Sequence, residues 1–291
     1  MPELPEVEVT RRHIAPVLVG RTVREVRTTG ASYFFVTPPP RLARALRGAT
    51  VEALERTGKY LVADIGRGRR LLLHLGMTGQ LFSGDATSLR LLSATARASL
   101  SPEEQVGFEP DRHTHLQLAF EDAGPDVLFR DVRKFGKVQL LARGERSERL
   151  ERLGTDALEI QGDDLFRATR RRKVAIKTLL LDQSVVAGSG NIYTDEALFL
   201  ACVRPGRAAA RVTRAECERL ADALHRIMAR SIETGGSSIS DYVAPDGRDG
   251  RYQDERKVYA RAGEPCLRCD GTIRRKVIGA RSSHYCPGCQ R

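Results

Sequence analysis

The sequence predicts an α+β protein with three parts: a β-rich N-terminal domain that starts with a helix, a helical middle domain and a small cysteine-rich β-hairpin. Three observations predict this class. Short apolar or alternating runs fill the first half of the chain, helical periodicity follows, and four of the six cysteines come after residue 265. A chain of 291 residues exceeds the usual size of one domain, so we expect boundaries at 1–143, 144–240 and 241–291.

The N-terminal domain is predicted to begin with a helix and to continue as antiparallel strands. Val7, Ile14 and Leu18 recur at helical spacing, and Gly20 ends the helix. The polar stretch Ser83–Arg112 is expected to be a surface excursion. Six short runs bounded by Gly, Asp or Pro predict strands at Thr22–Arg27, Tyr60–Ile65, Arg70–Leu75, His115–Phe120, Val127–Arg130 and Lys137–Leu141.

The middle domain carries clear helix signals. Thr213 followed by Glu216 is a capping-box signature, and an apolar stripe at helical spacing comes after it. A turn of small residues precedes a second predicted helix, Ile192–Cys202. The residues Asp241–Tyr252 are rich in Gly, Asp and Pro and are predicted to form a polar loop.

The charge balance favours a polyanionic partner. The net charge is +11, and residues 248–291 alone carry 11 Lys/Arg against 5 Asp/Glu. Basic residues release condensed counterions when they contact phosphates, so this excess is typical of nucleic-acid binding. No run of about 18 apolar residues predicts a membrane span, and no signal peptide is apparent, so we expect an intracellular protein.

The C-terminal cysteines have the spacing of a zinc site. Cys266 and Cys269 form one pair and Cys286 and Cys289 the other, each with two intervening residues, and four thiolates complete a tetrahedron. The sixteen residues between the pairs predict a β-hairpin with Arg281 at or near its tip. Because all four positions are filled, we expect one structural zinc ion that is not the catalyst.

The N-terminus Met1-Pro2-Glu3 could carry chemistry. Removal of Met1 would expose the secondary amine of Pro2, which in its neutral form can make a Schiff base with an aldehyde-level carbon. Glu3 and Glu6 could transfer protons beside it. Taken alone, however, this block is better explained as the acidic first turn of a helix.

Five blocks together resemble the formamidopyrimidine-DNA glycosylase family, in the right order over the whole chain. They are Pro2–Glu8, His74–Gly79, Arg133–Gly136, Gly190–Tyr193 and the four-cysteine hairpin. The resemblance implies a β-sandwich-like N-terminal domain, a helix–two-turn–helix DNA-binding domain, and a lesion loop followed by a zinc finger.

The resemblance also implies residue roles. Pro2 is implied to be the Schiff-base nucleophile, Glu3 the proton donor, Lys59 the residue of β-elimination and Arg281 that of δ-elimination. Met77, Arg133 and Phe135 are implied to fill the gap left by an extruded nucleotide. The DNA-contacting set implied as a whole is Glu6, Met77, His113, Arg133, Phe135, Lys173 and Asn191.

The implied function is that of a bifunctional DNA glycosylase and abasic-site lyase, which excises oxidised purines such as 8-oxoguanine and formamidopyrimidines from double-stranded DNA. It is expected to act as a monomer on the nucleoid in a bacterial cytoplasm. One alternative is an endonuclease VIII-like enzyme for oxidised pyrimidines, against which Leu4 argues. The other is a non-catalytic zinc-finger DNA-binding protein, which leaves Pro2, Glu3 and Lys59 without a role.

Overall fold

A computed structural model describes residues 1–86, 110–239, 242–245 and 248–291. The chain forms two compact units, which consist of Met1–Ser147 with Thr234–Arg251 and of Glu148–Glu233 with Tyr252–Arg291. Most of the predicted excursion Ser83–Arg112 and part of the predicted loop Asp241–Tyr252 lie outside the described residues.

The first unit begins with helix α1, which spans Leu4–Leu18 as the apolar spacing predicts. A capping box starts it: the Glu3 backbone N–H donates to Glu6 Oε2 at 2.8 Å. A second helix, α2, covers Pro39–Leu46. It is only eight residues long, too short for apolar periodicity to predict it.

Eight strands of the first unit form two four-stranded antiparallel sheets. The six predicted strands are present, and two more, β2 and β5, complete the sheets. One sheet has the order β1-β6-β7-β5 and the other β2-β3-β4-β8. The strands are β1 (Val23–Thr28), β2 (Ala53–Thr57), β3 (Tyr60–Asp64), β4 (Arg70–His74), β5 (Gly79–Ser83), β6 (Thr114–Phe120), β7 (Val127–Asp131) and β8 (Lys137–Leu141).

One apolar cluster fills the space between the two sheets. Leu71 and Leu73 of β4 contribute to it along with Leu116 and Leu118 of β6, which is the alternation of a strand with one face in the core. Phe129 of β7 also belongs to the cluster and is fully buried, which is worth about 3 kcal/mol for a side chain of this size. Both sheets share this core, so the β-sandwich-like prediction is confirmed.

The second unit is helical and ends in a hairpin, as predicted. Its elements are α3 (Glu148–Glu151), β9 (Thr155–Asp156), α4 (Gly162–Thr169), α5 (Ile176–Leu181), β10 (Val186–Ala187), α6 (Asn191–Leu200), α7 (Arg214–Glu233), β11 (Arg274–Ile278) and β12 (Arg281–Tyr285). Strands β11 and β12 pair in register from Arg274↔Tyr285 to Ile278↔Arg281, so Arg281 directly follows the two-residue turn. Among the described residues, no helix has both the length and the apolar character to span a bilayer.

Helix α7 starts at the predicted capping box. The Glu216 carboxylate accepts hydrogen bonds from the Thr213 backbone N–H at 2.8 Å and from its hydroxyl at 3.0 Å, and it pairs with Arg207. Burial raises the pKa of Glu216, but the hydrogen bonds from Arg207 and Thr213 outweigh it and lower the pKa to about 2. The carboxylate therefore stabilises the fold only while it is ionised.

This geometry predicts a pH-dependent loss of stability for Glu216→Gln. The native pKa lies below the usual value of 4.5, so the contribution is complete above pH 4.5 and disappears as the pH falls to about 2. At pH 7 the variant should lose about 1–3 kcal/mol of unfolding free energy. Urea titrations between pH 7 and pH 2 measure the difference, with Asp222→Asn on the exposed face of α7 as control. A difference that is constant with pH would contradict the assignment.

Candidate functional site

The predicted nucleophile and proton donor lie at the start of α1. Pro2 is buried, and the Glu3 side chain is 3% exposed. The carboxylate of Glu6 accepts from the Glu3 backbone and, through Oε1, from the Ser237 backbone N–H at 2.9 Å. Gly236 beside it has φ +85°, which side chains other than glycine rarely adopt, and a Cβ there would make a tight contact of 3.2 Å with Glu6 Oε1. Glu6 thus ties the N-terminal block to the segment after residue 234.

The predicted elimination residue Lys59 lies in the two-residue turn between β2 and β3 and is 7% exposed. Arg56 connects this turn to α1. It pairs with Glu8 at 3.4 Å and donates to the Gly58 carbonyl at 3.0 Å. Burial raises the pKa of Glu8, but hydrogen bonds from neighbouring arginines lower it to about 2, so it is ionised and holds the contact. The element that carries Pro2 and the turn that carries Lys59 are therefore linked by one ion pair.

Two short loops, residues 75–78 and 132–136, carry the predicted gap-filling side chains; we call them the insertion loops. Met77 is 38% exposed and Phe135 is 41% exposed, although both are large and apolar. The Arg133 guanidinium lies 4.5 Å from the centre of the Phe135 ring, and among the described residues it has no carboxylate partner. The structure thus presents two apolar side chains and one unneutralised cation together.

A fully buried carboxylate, Asp131, joins the two insertion loops. It accepts from the Thr78 hydroxyl at 2.5 Å, the Arg133 backbone N–H at 3.2 Å and the Gly136 backbone N–H at 2.7 Å. The loops also touch: Gly76 has φ +66°, and a Cβ there would lie 2.5 Å from the Gly136 nitrogen. The glycines in the His74–Gly79 and Arg133–Gly136 motifs therefore allow the backbones of the two loops to approach closely.

His113 lies immediately before β6, and its carbonyl accepts from the Asp131 backbone N–H at 2.9 Å. This contact places it at the same end of the sheet as the insertion loops. Burial lowers the pKa of His113, the Asp111 carboxylate opposes this effect, and the positive charges of neighbouring residues such as Arg130 add to the lowering. The ring is therefore neutral at pH 7 and can both donate and accept one hydrogen bond.

In the second unit, Asn191 begins α6, and its side-chain amide lies 3.4 Å from the Ser282 hydroxyl. Ser282 follows the exposed Arg281, so Asn191 and the hairpin tip belong to one surface. Lys173 is exposed in the loop before α5. Lys173 and Arg281 are thus exposed on the surface of this unit, and Asn191 is half-buried beside the hairpin tip.

A buried ion pair that the sequence pattern does not predict lies beneath that surface. Lys177 Nζ lies 2.7 Å from Asp195 Oδ1, and neither side chain is exposed. Lys177 also donates to the Ser282 carbonyl at 2.6 Å, while Asp195 accepts the His284 backbone N–H at 2.8 Å. The pair fastens β12 to α5 and α6. A single lysine inside the apolar run 175–181 was the available signal, because buried lysines require partners.

The four cysteine sulfurs lie within 4.8 Å of one another. The distances are 3.8 Å between Cys266 and Cys289, 3.5 Å between Cys269 and Cys286, and 3.4 Å between Cys269 and Cys289. A tetrahedral ion with Zn–S bonds of about 2.3 Å requires sulfurs about 3.8 Å apart, so the cluster fits zinc. Four thiolates leave no open position, and the site is structural.

Three sequence profiles match the chain in succession. They describe a formamidopyrimidine-DNA glycosylase N-terminal domain over residues 1–138, a formamidopyrimidine-DNA glycosylase H2TH domain over residues 153–243, and a zinc finger found in FPG and IleRS over residues 263–291.

Full-length relatives match as well. A formamidopyrimidine-DNA glycosylase of Solibacter usitatus is 40% identical over 291 residues, with all of both chains covered. The structure is similar to a variant of Lactococcus lactis Fpg bound to DNA that contains Fapy-dG, with TM-score 0.84, 31% identity and both chains fully covered. It is also similar to the Thermus thermophilus MutM (Fpg) protein, with TM-score 0.82, 36% identity and coverage of 99% and 98%.

The zinc geometry predicts that Cys286→Ala loses the metal and the hairpin together. Metal binding supplies much of the folding free energy of such a finger, so loss of one thiolate should melt strands β11 and β12. Metal analysis should find one zinc per wild-type chain and much less in the variant, and DNA affinity should fall. Cys202→Ala removes an exposed cysteine outside the cluster and serves as control. Folded wild-type protein without zinc would refute the assignment.

Proposed function

Since the chain belongs to the formamidopyrimidine-DNA glycosylase family, we propose that it excises oxidised purines from double-stranded DNA and then cuts the strand. The observation that carries the proposal is the Pro2-Glu3 start of a capped helix in a chain that matches the family over its full length. The family name of its relatives favours purine lesions over oxidised pyrimidines, and a non-catalytic finger protein would need neither this terminus nor a buried Lys59.

The proposed reaction begins after Met1 is removed. The nitrogen of Pro2 attacks C1′ of the lesion's deoxyribose as the bond from C1′ to the base breaks, and the proton that the amine loses is taken up by the departing base. The bond from C1′ to O4′ then breaks, and Glu3 supplies the proton to O4′ as the sugar ring opens. The product is an iminium ion that links the protein to C1′. A secondary amine suits this step because it is partly neutral near pH 7. Its Schiff base keeps no proton on nitrogen and is therefore always a cation, which favours the elimination that follows.

The iminium acidifies the proton on C2′, and strand cutting follows. We assign removal of that proton to Lys59, with departure of the 3′ phosphate. A second elimination releases the 5′ phosphate, and we assign to Arg281 the neutralisation of this leaving group. Hydrolysis of the remaining Schiff base returns free Pro2. Zinc takes no part in these steps, because the cysteines occupy its whole coordination sphere.

We assign lesion access to the insertion loops. Extruding a nucleotide costs stacking energy, which Met77 and Phe135 recover by entering the vacated space, while Arg133 faces the orphaned base. The exposure of these apolar side chains and the lack of a carboxylate partner for Arg133 among the described residues support this role. His113 lies at the same end of the sheet and is assigned a phosphate contact.

The remaining contacts are electrostatic. Lys173, Asn191 and Arg281 are assigned to the DNA backbone, consistent with the net charge of +11. Glu6 contributes by holding the segment after residue 234 through its bond to Ser237. We further propose that the protein acts as a monomer, and that it works on nucleoid DNA in a bacterial cytoplasm like that of its bacterial relatives.

Borohydride added during turnover should trap a covalent protein–DNA adduct at Pro2. Reduction of the iminium makes the link permanent, and peptide mapping locates it. Pro2→Gly, or retention of Met1, should abolish or strongly reduce the adduct, whereas Pro38→Gly, at a proline outside the terminus, should not. A full-strength adduct mapped to a lysine would refute the nucleophile assignment.

Met77→Ala and Phe135→Ala should slow excision of a paired lesion but leave cleavage of a pre-formed abasic site much less affected, since no base then has to be extruded. Non-specific duplex affinity should be nearly unchanged, because it comes from Lys/Arg–phosphate contacts. Single-turnover cutting of matched lesion and abasic duplexes at fixed salt measures the ratio. Val19→Ala, at another exposed apolar side chain, is the control. Equal loss on both substrates would mean that these residues only support the fold.

A further inference from the structure

Tyr33 is a further exposed aromatic residue next to the insertion loops. It is 58% exposed, more than either Met77 or Phe135. Its hydroxyl nevertheless has a definite partner, since it donates to the Arg133 carbonyl at 2.7 Å. A tyrosine that reaches across the surface to one backbone atom of a functional loop has a more specific role than coverage of the sheet.

The backbone of Tyr33 is rigidly held. The next residue, Phe34, is fully buried and packs on Phe129 with ring centres 4.9 Å apart. The Phe34 carbonyl accepts from the Val138 backbone N–H at 3.0 Å. Lys137 adds a bond from Nζ to the Tyr33 carbonyl at 2.8 Å, and its ammonium lies 4.4 Å from the centre of the tyrosine ring. Tyr33 is therefore a fixed support rather than a mobile surface side chain.

The bond from Tyr33 ends on a backbone group in an unfavourable conformation. Lys134 has φ +58°, in the left-handed region that side chains other than glycine rarely adopt. The Arg133 carbonyl belongs to the peptide group that immediately precedes this angle. On the other side of Arg133, its backbone N–H is shared by Thr78 and Asp131, each at 3.2 Å. The peptide group before Arg133 is thus held by Thr78 and Asp131, and the peptide group after it is held by the Tyr33 hydroxyl.

We infer that Tyr33 is a positioning residue for lesion extrusion, which holds the Lys134 turn in its left-handed form so that Arg133 and Phe135 are presented for insertion. The inference rests on the proposed function of the insertion loops. Without the hydroxyl, the Lys134 turn can relax to ordinary backbone angles. The molecules in which it has relaxed must then return to the left-handed form before a base can be extruded. Tyr33 itself need not contact the DNA.

The test is Tyr33→Phe, which keeps the ring and removes only the hydroxyl. Loss of one hydrogen bond of ordinary net strength corresponds to about a fivefold effect. Single-turnover excision from a lesion duplex should therefore slow by about that factor, while cleavage of the matched abasic duplex stays within twofold. Tyr60 is unsuitable as a control because it is adjacent to Lys59. The matched control is therefore Tyr285→Phe in the second unit. Equal slowing on both substrates, or on neither, would overturn the inference.

A second variant tests the left-handed turn directly. Glycine adopts positive φ without strain, so Lys134→Gly should make the Tyr33 hydroxyl largely unnecessary. In that background, Tyr33→Phe should change the lesion-to-abasic ratio by less than twofold. The ratio cancels the charge that Lys134→Gly removes, because non-specific affinity affects both duplexes alike. A full fivefold effect of Tyr33→Phe in the Lys134→Gly protein would contradict the mechanism.

Failure of this inference can be distinguished from failure of the proposed function. If Phe135→Ala changes the lesion-to-abasic ratio and Tyr33→Phe does not, the loops insert and Tyr33 has no positioning role. If neither variant changes the ratio while both proteins remain active, the insertion role itself is wrong.

Discussion

The insertion loops of the first unit depend on the hydrogen bonds that the buried carboxylate of Asp131 accepts. Taking a charge out of water is costly, and Asp131 is stable there because three donors from two separate loops converge on it. The buried Asp131 carboxylate is therefore stable only when both loops supply their donors, and the two loops are held together by their bonds to this carboxylate. An apolar residue in its position would pack, but it could not fix the spacing between the residues 75–78 and 132–136. The Asp131 contact lies in the backbone of the loop that carries the exposed Phe135, so it helps to fix where this side chain is presented.

The second unit uses the same principle with a different pair of groups. The Lys177–Asp195 ion pair is fully buried, and both of its members also make hydrogen bonds to the backbone of β12. Glu196 extends the arrangement by accepting three successive backbone N–H groups from residues 257–259. Burial raises the pKa of this carboxyl, and the three N–H groups oppose that effect. Buried carboxyl groups thus anchor the chain before Cys266 and again just before Cys286, on either side of the first cysteine pair.

The difference between what could and could not be predicted follows from the range of the interactions. The Thr213–Glu216 capping box, the hairpin strands and the cysteine pairs depend on residues close in sequence, and they are where the sequence places them. Strand β5 was missed because Gly79 and the motif before it resemble a turn, although pairing with β7 makes the segment a strand. The role of Asp131 was missed because its partners lie as far as 53 residues away. A polar residue at the end of an apolar strand gives no indication of which distant loop it binds.

The placement of charge also separates two kinds of arginine. Arg130 and Arg207 are paired with carboxylates, so their charges are already compensated and serve the fold. Arg133 stacks on Phe135 and has no carboxylate partner among the described residues, so its charge is not compensated there. The Asp131 contact fixes the backbone beneath this guanidinium without touching its charge. The carboxylate nearest to the insertion loops, that of Asp131, accepts backbone N–H groups and does not pair with the Arg133 guanidinium. The positive charge of Arg133 is therefore not neutralised at these loops and can attract a polyanion.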